Sequence, residues 1–333
     1  MPRRTAWRCG GRWPLGRWAG RRVAVAVVSV TAIGAFAATH ATAAGATERA
    51  LAGTQMPWLV ALLGLAATGP ILHCGMLRAG QATVGARLRH REALRLAVGI
   101  HAANLAVRAA GAAGLGVLLA GDLECRIGRP ARSAAYVLGR EVAHWTVCAL
   151  ALVAVALLGA DGHLSALVAG GAALFVLSRA LHAALLWCAA TRPDALPRWR
   201  RLDRLRAHAP EFAAELRRAA AHPRRLAPVA AWAIAIDALH VGWLWVALQA
   251  VGAPTSIDVS VETYGVVALL GTVTILPAGL GPMDAGLVAA LHHSGVALAA
   301  AAAGVLLFRI ADLWVPLVAG AGPALAAARP TGD

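Results

Sequence analysis

Apolar runs long enough to cross a membrane recur along this chain, and blocks of arginine separate them. A helix that crosses the hydrocarbon core needs about 20 consecutive, mainly apolar residues. The 333 residues are 59% hydrophobic and only 14% charged, and the mean hydropathy is +0.65. These values lie well outside the range of ordinary soluble domains. We therefore expect an all-α polytopic membrane protein.

The charged residues restrict both the orientation and the partners of the chain. All 31 lysine-or-arginine positions are arginine, and the formal net charge is +15. Because the arginines lie in blocks between apolar runs, they indicate loops on the cytoplasmic side of a membrane. We expect no nucleic-acid partner, because the arginine blocks lack interleaved stacking aromatics on a soluble fold. The five cysteines show no metal-binding spacing, so we expect neither a metal nor a cofactor.

The same charge pattern divides the chain. Residues 1–22 hold seven arginines and form a predicted cytoplasmic tail, and a single integral membrane domain follows over residues 23–330. Residues 23–44 are either an uncleaved first span, which we favour, or a signal peptide that ends in small residues. Residues 191–225 hold ten arginines and form a predicted cytoplasmic loop. We expect both termini in the cytoplasm of a bacterial cell and the domain in its inner membrane.

Charge counting also decides how residues 96–121 lie. If this segment crossed the membrane, the arginine blocks that follow it would face outside, against the usual bias. A re-entrant hairpin that enters from the cytoplasmic side leaves every arginine-rich block in the cytoplasm. The prediction is about six full spans plus two re-entrant hairpins that enter from opposite faces. The six predicted spans are residues 23–44, 56–77, 141–158, 165–190, 227–251 and 297–322.

The predicted elements form an inverted repeat. A span, a hairpin and a span occur over residues 56–158, and the same order returns in inverted orientation over residues 227–322. Many secondary transporters are built from such repeats, with the substrate site between the halves at the bilayer midplane. The repeat therefore predicts a central site.

The second predicted hairpin, residues 263–296, is broken within its apolar run. The residues that break the helix are Pro277, Gly279, Gly281 and Pro282. Glycine lets another backbone approach closely, and proline leaves carbonyl groups without their helical donors. Non-helical backbone inside a membrane is tolerated where it is buried in protein or lines a wet cavity. The break is therefore either part of a substrate site or a kink that packs closely.

Asp284, just after the break, is the leading candidate for a substrate contact. A carboxylate at the centre of a membrane costs about 2.5–3.5 kcal/mol, so we expect it to have a partner, a proton or water. In one interpretation it binds a cationic group or takes up a proton during a cycle. In the other it caps the helix that follows, and both roles can hold together.

Arg309 and Arg108 are the cationic candidates. Arg309 shares a helix face with Asp312, three residues away. This spacing favours a salt bridge, and the alternatives make Arg309 a ligand of a lipid phosphate or a partner of Asp284. Arg108, in the first hairpin, either binds an anionic headgroup or extends to the cytoplasmic surface. We expect Arg108 to be the closest counterpart of Asp284 from the cytoplasmic side.

Two more pairs of polar residues lie three residues apart in apolar runs. They are Asp237 with His240, and Glu141 with His144. Structural pairing within each pair is the favoured interpretation, although both pairs could still face a central cavity. We find no nucleophile with a neighbouring base and no phosphate-binding loop. The chain is therefore not expected to be an enzyme.

The broken hairpin also carries a family resemblance. Residues 276–285 read LPAGLGPMDA, and Phe308-Arg309 and Trp314 follow in the last span. Here the chain resembles the membrane domain of bacterial lysylphosphatidylglycerol synthases and their stand-alone relatives, which carry a Pro-Gly-Gly-hydrophobic-Gly break, then Glu-Ala, and later an arginine. Asp284 replaces the family's glutamate, Ala278 replaces its first glycine, and the first hairpin lacks the family's proline and Gly-Glu.

The resemblance implies a function. In the family this domain flips aminoacylated phospholipid between leaflets, and a separate soluble domain makes the lipid. We expect this chain to be a translocase of phospholipid or of a lipid-linked substrate, and not a synthase by itself. The alternative is a membrane scaffold or accessory protein for a cell-envelope glycosyltransferase or lipid-modifying enzyme, which would then be its partner.

Overall fold

The computed structural model describes residues 44–106, 129–158, 169–181, 184, 214–215, 217–218, 221–273, 282–316 and 318. All regular structure in these residues is helical. The helices are α1 (Ala44–Ala52), α2 (Met56–Thr83), α3 (His90–Ala106), α4 (Arg129–Leu158), α5 (Ala169–Leu181), α6 (Ala227–Ala250), α7 (Ile257–Val273), α8 (Pro282–His293) and α9 (Leu298–Arg309). A short 3₁₀ turn, Pro223–Arg225, precedes α6, and a π-helical turn, Ile310–Trp314, continues α9.

Three of these helices are long and apolar enough to cross a membrane. They are α2, α6 and the part of α4 over Ala134–Ala154, and each falls on a predicted span. The predicted boundaries of two of them were too short, because α2 continues to Thr83 and α4 already begins at Arg129. Of the other predicted spans, 165–190 contains the shorter apolar helix α5, and 297–322 contains α9 and the π-helical turn.

Helices α2 and α6 pack against each other in opposite directions. Gly69 of α2 lies against Trp243, and Gly75 lies against Trp232, which is earlier in α6. At the end of this interface the backbone N–H of Gln55 donates to the carbonyl of Ala250 at 2.8 Å. A Cβ at Gly75 would lie 2.6 Å from the Trp232 ring, so the glycine permits the close approach. An inverted repeat requires its first helices to run in opposite directions, as these two do.

The two helices of the predicted second hairpin, α7 and α8, pack into the same core. Helix α7 begins at Ile257, six residues before the predicted start, so Asp258 and Glu262 belong to its first turns. Gly265 of α7 contacts the backbone of Ala151 in α4. Gly286 of α8 lies against Val267 of α7. Helix α8 therefore folds back along α7 and places its own first turn inside the protein.

Helix α9 closes this side of the core. Gly304 lies against Leu248 of α6, and Phe308 is fully buried. The π-helical turn that follows changes the helical repeat locally, as π-bulges do. It brings Asp312 onto the buried side of the helix, where Asp312 is 8% exposed.

Several predicted features lie outside the described residues. These are the segments 1–22 and 23–43, Arg108, most of the loop 191–225, and the break residues Pro277, Gly279 and Gly281. Pro282 is described as the first residue of α8. Proline is favoured at this position because its missing N–H has no helical acceptor there.

Candidate functional site

Four charged or ionisable side chains, Arg309 among them, form one group that we call the Arg309 cluster. The Nε of Arg309 donates to Oδ1 of Asp284, and its Nη1 donates to Oδ2 of Asp312 at 2.8 Å. His240 contacts Asp312 from the other side, with Nε2 3.1 Å from Oδ1. All four side chains are buried. The cluster therefore joins α6, α8, α9 and the π-helical turn.

Asp284 is placed by the start of α8. The helix begins two residues earlier, so the carboxylate lies within the first turn and not at the capping position that one interpretation gave it. The positive end of the helix still stabilises a carboxylate in the first turn. Its guanidinium partner comes from α9, so the open alternative in which Arg309 pairs with Asp284 is the arrangement observed.

The predicted bridge between Arg309 and Asp312 is also present. Arg309 thus contacts two carboxylates through different nitrogens of one planar group. A guanidinium suits this task because its five N–H groups point in fixed directions. A lysine could not contact both acids with the same geometry.

Aromatic rings surround His240. Its ring stacks on Tyr264 with the centroids 5.4 Å apart and the planes 15° apart. Trp243 approaches the ring edge-on, with the centroids 4.8 Å apart. Both hydrogen bonds of the imidazole run in the ring plane, and the second of them joins Nδ1 to the carbonyl of Ile236 at 2.7 Å. The orientation of His240 is therefore fixed on every side.

Asp237 has a different partner from the one expected. Sequence spacing predicted a pair with His240, but the carboxylate of Asp237 contacts the hydroxyl of Thr146 on α4 at 2.8 Å. His240 bonds to Ile236 and Asp312 instead. The prediction of a direct Asp237–His240 pair was wrong. The reason is that each side chain finds a partner on another element, at the helix crossings.

The cluster lies near the middle of a helix that is long enough to cross a membrane. Asp237 and His240 are positions 11 and 14 of the 24-residue helix α6. At a rise of about 1.5 Å per residue, both are near the middle of a helix long enough to cross. Thr146 is likewise inside the apolar part of α4, Ala134–Ala154. Buried charges at this depth are expensive and mark functional sites by default.

One donor of the cluster remains open. The Nη2 of Arg309 is buried and has no hydrogen-bond partner among the residues that the structure describes. A buried charged donor without a partner is costly, and Arg309 itself is only 4% exposed. A bidentate acceptor such as a phosphate diester would satisfy this nitrogen. The geometry therefore offers an anion contact beside two carboxylates.

A cleft lies next to the cluster, between α2, α3 and α6. Its walls include Pro70 and His73 of α2, Ala97 of α3 and Trp243 of α6. Trp243 also touches the ring of His240, so the cleft and the cluster share a wall. The walls of the cleft are mostly apolar.

Glu141 and His144 belong to a second group of polar side chains. The Nη1 of Arg179, on α5, lies 2.7 Å from Oε1 of Glu141 and 3.4 Å from Nδ1 of His144. Trp145 and Phe175 pack edge-on beside them. The group fixes α5 to α4.

Sequence reasoning missed three residues that matter here, and for different reasons. Thr146 and Tyr264 are ordinary residues of apolar helices, so no pattern distinguishes them. Arg179 is a single arginine in an apolar run, and its charge was the signal that could have identified it. Arg108, the expected counterpart of Asp284, lies outside the described residues, and Arg309 fills that position in the part that is described.

Comparison with known proteins supports a single family. The lysylphosphatidylglycerol synthase TM region matches residues 22–320, which is most of the chain and includes both the cluster and the broken hairpin. A comparison with curated proteins gives no match. The family and the three apolar helices identify a membrane protein of lipid metabolism or transport. The chain belongs to the lysylphosphatidylglycerol synthase TM region family.

Proposed function

We propose that this protein is a flippase-like translocase that moves a phospholipid or lipid-linked substrate between the leaflets of the bacterial inner membrane. The observation that carries the proposal is the open Nη2 of Arg309, held by two acids at membrane depth. A structural salt bridge does not need a guanidinium with a spare donor. A site that receives a headgroup phosphate does.

The surroundings support the same function. The cluster presents a cation and two acids to the headgroup, and the cleft beside Trp243 gives it an apolar surrounding. The antiparallel packing of α2 and α6 fits an inverted repeat, in which one half moves against the other around a central site. The arginine-rich segments are proposed to face the cytoplasm, together with both termini.

The test is a leaflet-resolved transfer assay in reconstituted vesicles. The substrate is fluorescent phosphatidylglycerol, and protein-free vesicles give the background. We expect wild-type protein to transfer the lipid. We expect Arg309→Lys to lose most of the transfer, because an ammonium group lacks the fixed donor geometry with which the guanidinium contacts both acids and still has Nη2 open. The matched control is Arg179→Lys, an equivalent change in an ion pair outside the cluster. Equal transfer by the two variants would contradict the proposed site.

A non-transporting scaffold is the second candidate, and one observation favours it. The acids and Arg309 bond to one another, as in a purely structural lock between helices. A scaffold predicts that transfer by wild-type protein does not exceed the background of protein-free vesicles. The same assay therefore separates the two candidates.

A further inference from the structure

Both ring nitrogens of His240 face hydrogen-bond acceptors. Nδ1 lies 2.7 Å from the carbonyl oxygen of Ile236, and Nε2 lies 3.1 Å from Oδ1 of Asp312. A carbonyl oxygen can only accept, so Nδ1 carries a hydrogen. The contact with Asp312 then needs another hydrogen, either on Nε2 or on the carboxyl group. In both cases the pair holds one proton more than a neutral histidine beside an ionised aspartate.

The charge balance of the cluster also indicates that the His240–Asp312 pair holds the additional proton. Arg309 and Asp284 cancel each other. The His240–Asp312 pair is neutral with the additional proton and carries one negative charge without it. Because an uncompensated charge is costly in a buried site, the neutral form is the stable one. The proton belongs to the pair as a whole, as in other strongly coupled sites.

We propose that the His240–Asp312 pair is a proton-binding site, and that an anionic lipid headgroup binds to Arg309 more tightly when this proton is present. The inference rests on the function proposed above, because it takes the headgroup phosphate as the ligand of Arg309. With the proton, the cluster that receives the phosphate is neutral. Without it, the cluster is negative and repels the phosphate. Proton binding and lipid binding therefore strengthen each other by the same factor.

Other titratable groups surround the pair, and the experiment has to distinguish their titration from that of the pair. The groups that face His240 and Asp312 come from five helices. They are Asp237 on α6, Tyr264 on α7, Asp284 on α8, Arg309 on α9 and, across the cleft, His73 on α2. Asp237 contacts Thr146, whose hydroxyl also donates to the carbonyl of Ala143. The test consequently uses variants that change the pair and leave these groups in place.

Two variants remove the proton and leave the cluster with different charges. In His240→Gln the amide still donates to Asp312, but it carries no charge, so the cluster is negative at every pH. In Asp312→Asn the ring is neutral and accepts from the amide, so the cluster is neutral at every pH. The two variants are therefore expected to differ in affinity while both lose the dependence on pH.

The experiment measures binding of fluorescent phosphatidylglycerol to the full chain in phosphatidylcholine nanodiscs between about pH 5 and about pH 8. For the wild type, we expect affinity to fall as pH rises, by up to about tenfold per pH unit once the proton is lost. His240→Gln is expected to bind weakly and Asp312→Asn tightly, both independently of pH. Glu141→Gln, outside the cluster, keeps the wild-type dependence. A flat wild-type curve, or a dependence that survives in both variants, overturns the proposal.

A second measurement detects the proton of the His240–Asp312 pair directly. In nitrogen-15 spectra of histidine-labelled protein, the His240 signal is identified by its absence in His240→Gln. We expect the wild-type ring to bear hydrogen at both nitrogens or to share one with Asp312, and the ring in Asp312→Asn to be neutral. Lipid transfer with a neutral wild-type ring whose Nε2 receives no hydrogen bond from Asp312 contradicts the proton site alone. A protonated ring without any transfer contradicts the translocase alone.

Discussion

Arg309 and Asp284 are 25 residues apart in the chain, and their side chains form a buried ion pair that fixes α9 to the first turn of α8. The pair holds the second half of the broken hairpin against the core. Any movement of the hairpin relative to α9 has to break or stretch this contact. A substrate that competes for Arg309 could therefore loosen the hairpin as it binds.

The stability of the cluster depends on charge balance. We expect Arg309→Gln to lower the free energy of unfolding by about 3–5 kcal/mol, because it leaves buried acids without a cation. Adding Asp284→Asn to this variant should recover part of the loss. Denaturant unfolding in detergent micelles measures both the loss of free energy of unfolding and its recovery.

The control for this prediction is Arg218→Gln. Arg218 forms an exposed pair with Glu215, and exposed pairs contribute little. If the loss in Arg309→Gln is no larger than in Arg218→Gln, the cluster does not stabilise the fold.

The interface between α2 and α6 depends on Gly75. Its added Cβ would meet the rigid ring of Trp232, so we expect Gly75→Ala to destabilise the protein by about 1–3 kcal/mol through overpacking. Thermal unfolding of the purified variant measures the loss. Gly64→Ala, in the same helix but with open space at the Cβ position, should be neutral or stabilising, since alanine favours helix. A loss of equal size in both variants would place the effect outside this interface.

The long apolar helices could be predicted from sequence because their length and composition depend on the membrane alone. The residues at which these helices begin and end could not be predicted. The second predicted span ended at residue 77, but α2 continues past Arg78, whose side chain is exposed. Arginine is itself a good helix former. The second hairpin was predicted to begin at residue 263, but α7 begins at Ile257 with Asp258 in its first turn. An acid at this position is a common signal of a helix start.

The members of the site could also be predicted, but not all of their partners. Charged residues are rare in apolar runs, so Asp284, Arg309 and His240 each stood out. The bond between Arg309 and Asp312 follows from helical spacing. The bond from Arg309 to Asp284 joins two helices, and no local pattern encodes it. The π-helical turn that brings Asp312 to His240 has no sequence signal that we can name.

The contact between Asp237 and Thr146 gives a further prediction. The hydroxyl of Thr146 lies 2.8 Å from both the Ala143 carbonyl and the Asp237 carboxyl group, yet it has one hydrogen. Every contact is satisfied if Asp237 is protonated and donates to Thr146. We therefore expect Asp237→Asn to change stability by no more than about 0.5 kcal/mol.

Thr146→Val tests the same contact from the other side. It leaves Asp237 buried without this partner, so we expect a loss of about 1–3 kcal/mol. The same change should cost much less in an Asp237→Leu background, and a double-mutant cycle in detergent measures the coupling. A cycle with zero coupling would show that the two side chains do not interact.

The most direct test of the account is the rate of leaflet transfer by Asp284→Asn in reconstituted vesicles. The asparagine keeps the shape of the side chain and can still accept from Arg309, so the protein should insert and fold as the wild type does. The account predicts that transfer falls to the protein-free background, while the control Glu141→Gln transfers at the wild-type rate. Transfer by Asp284→Asn at the wild-type rate would contradict the central claim that this cluster is the translocation site.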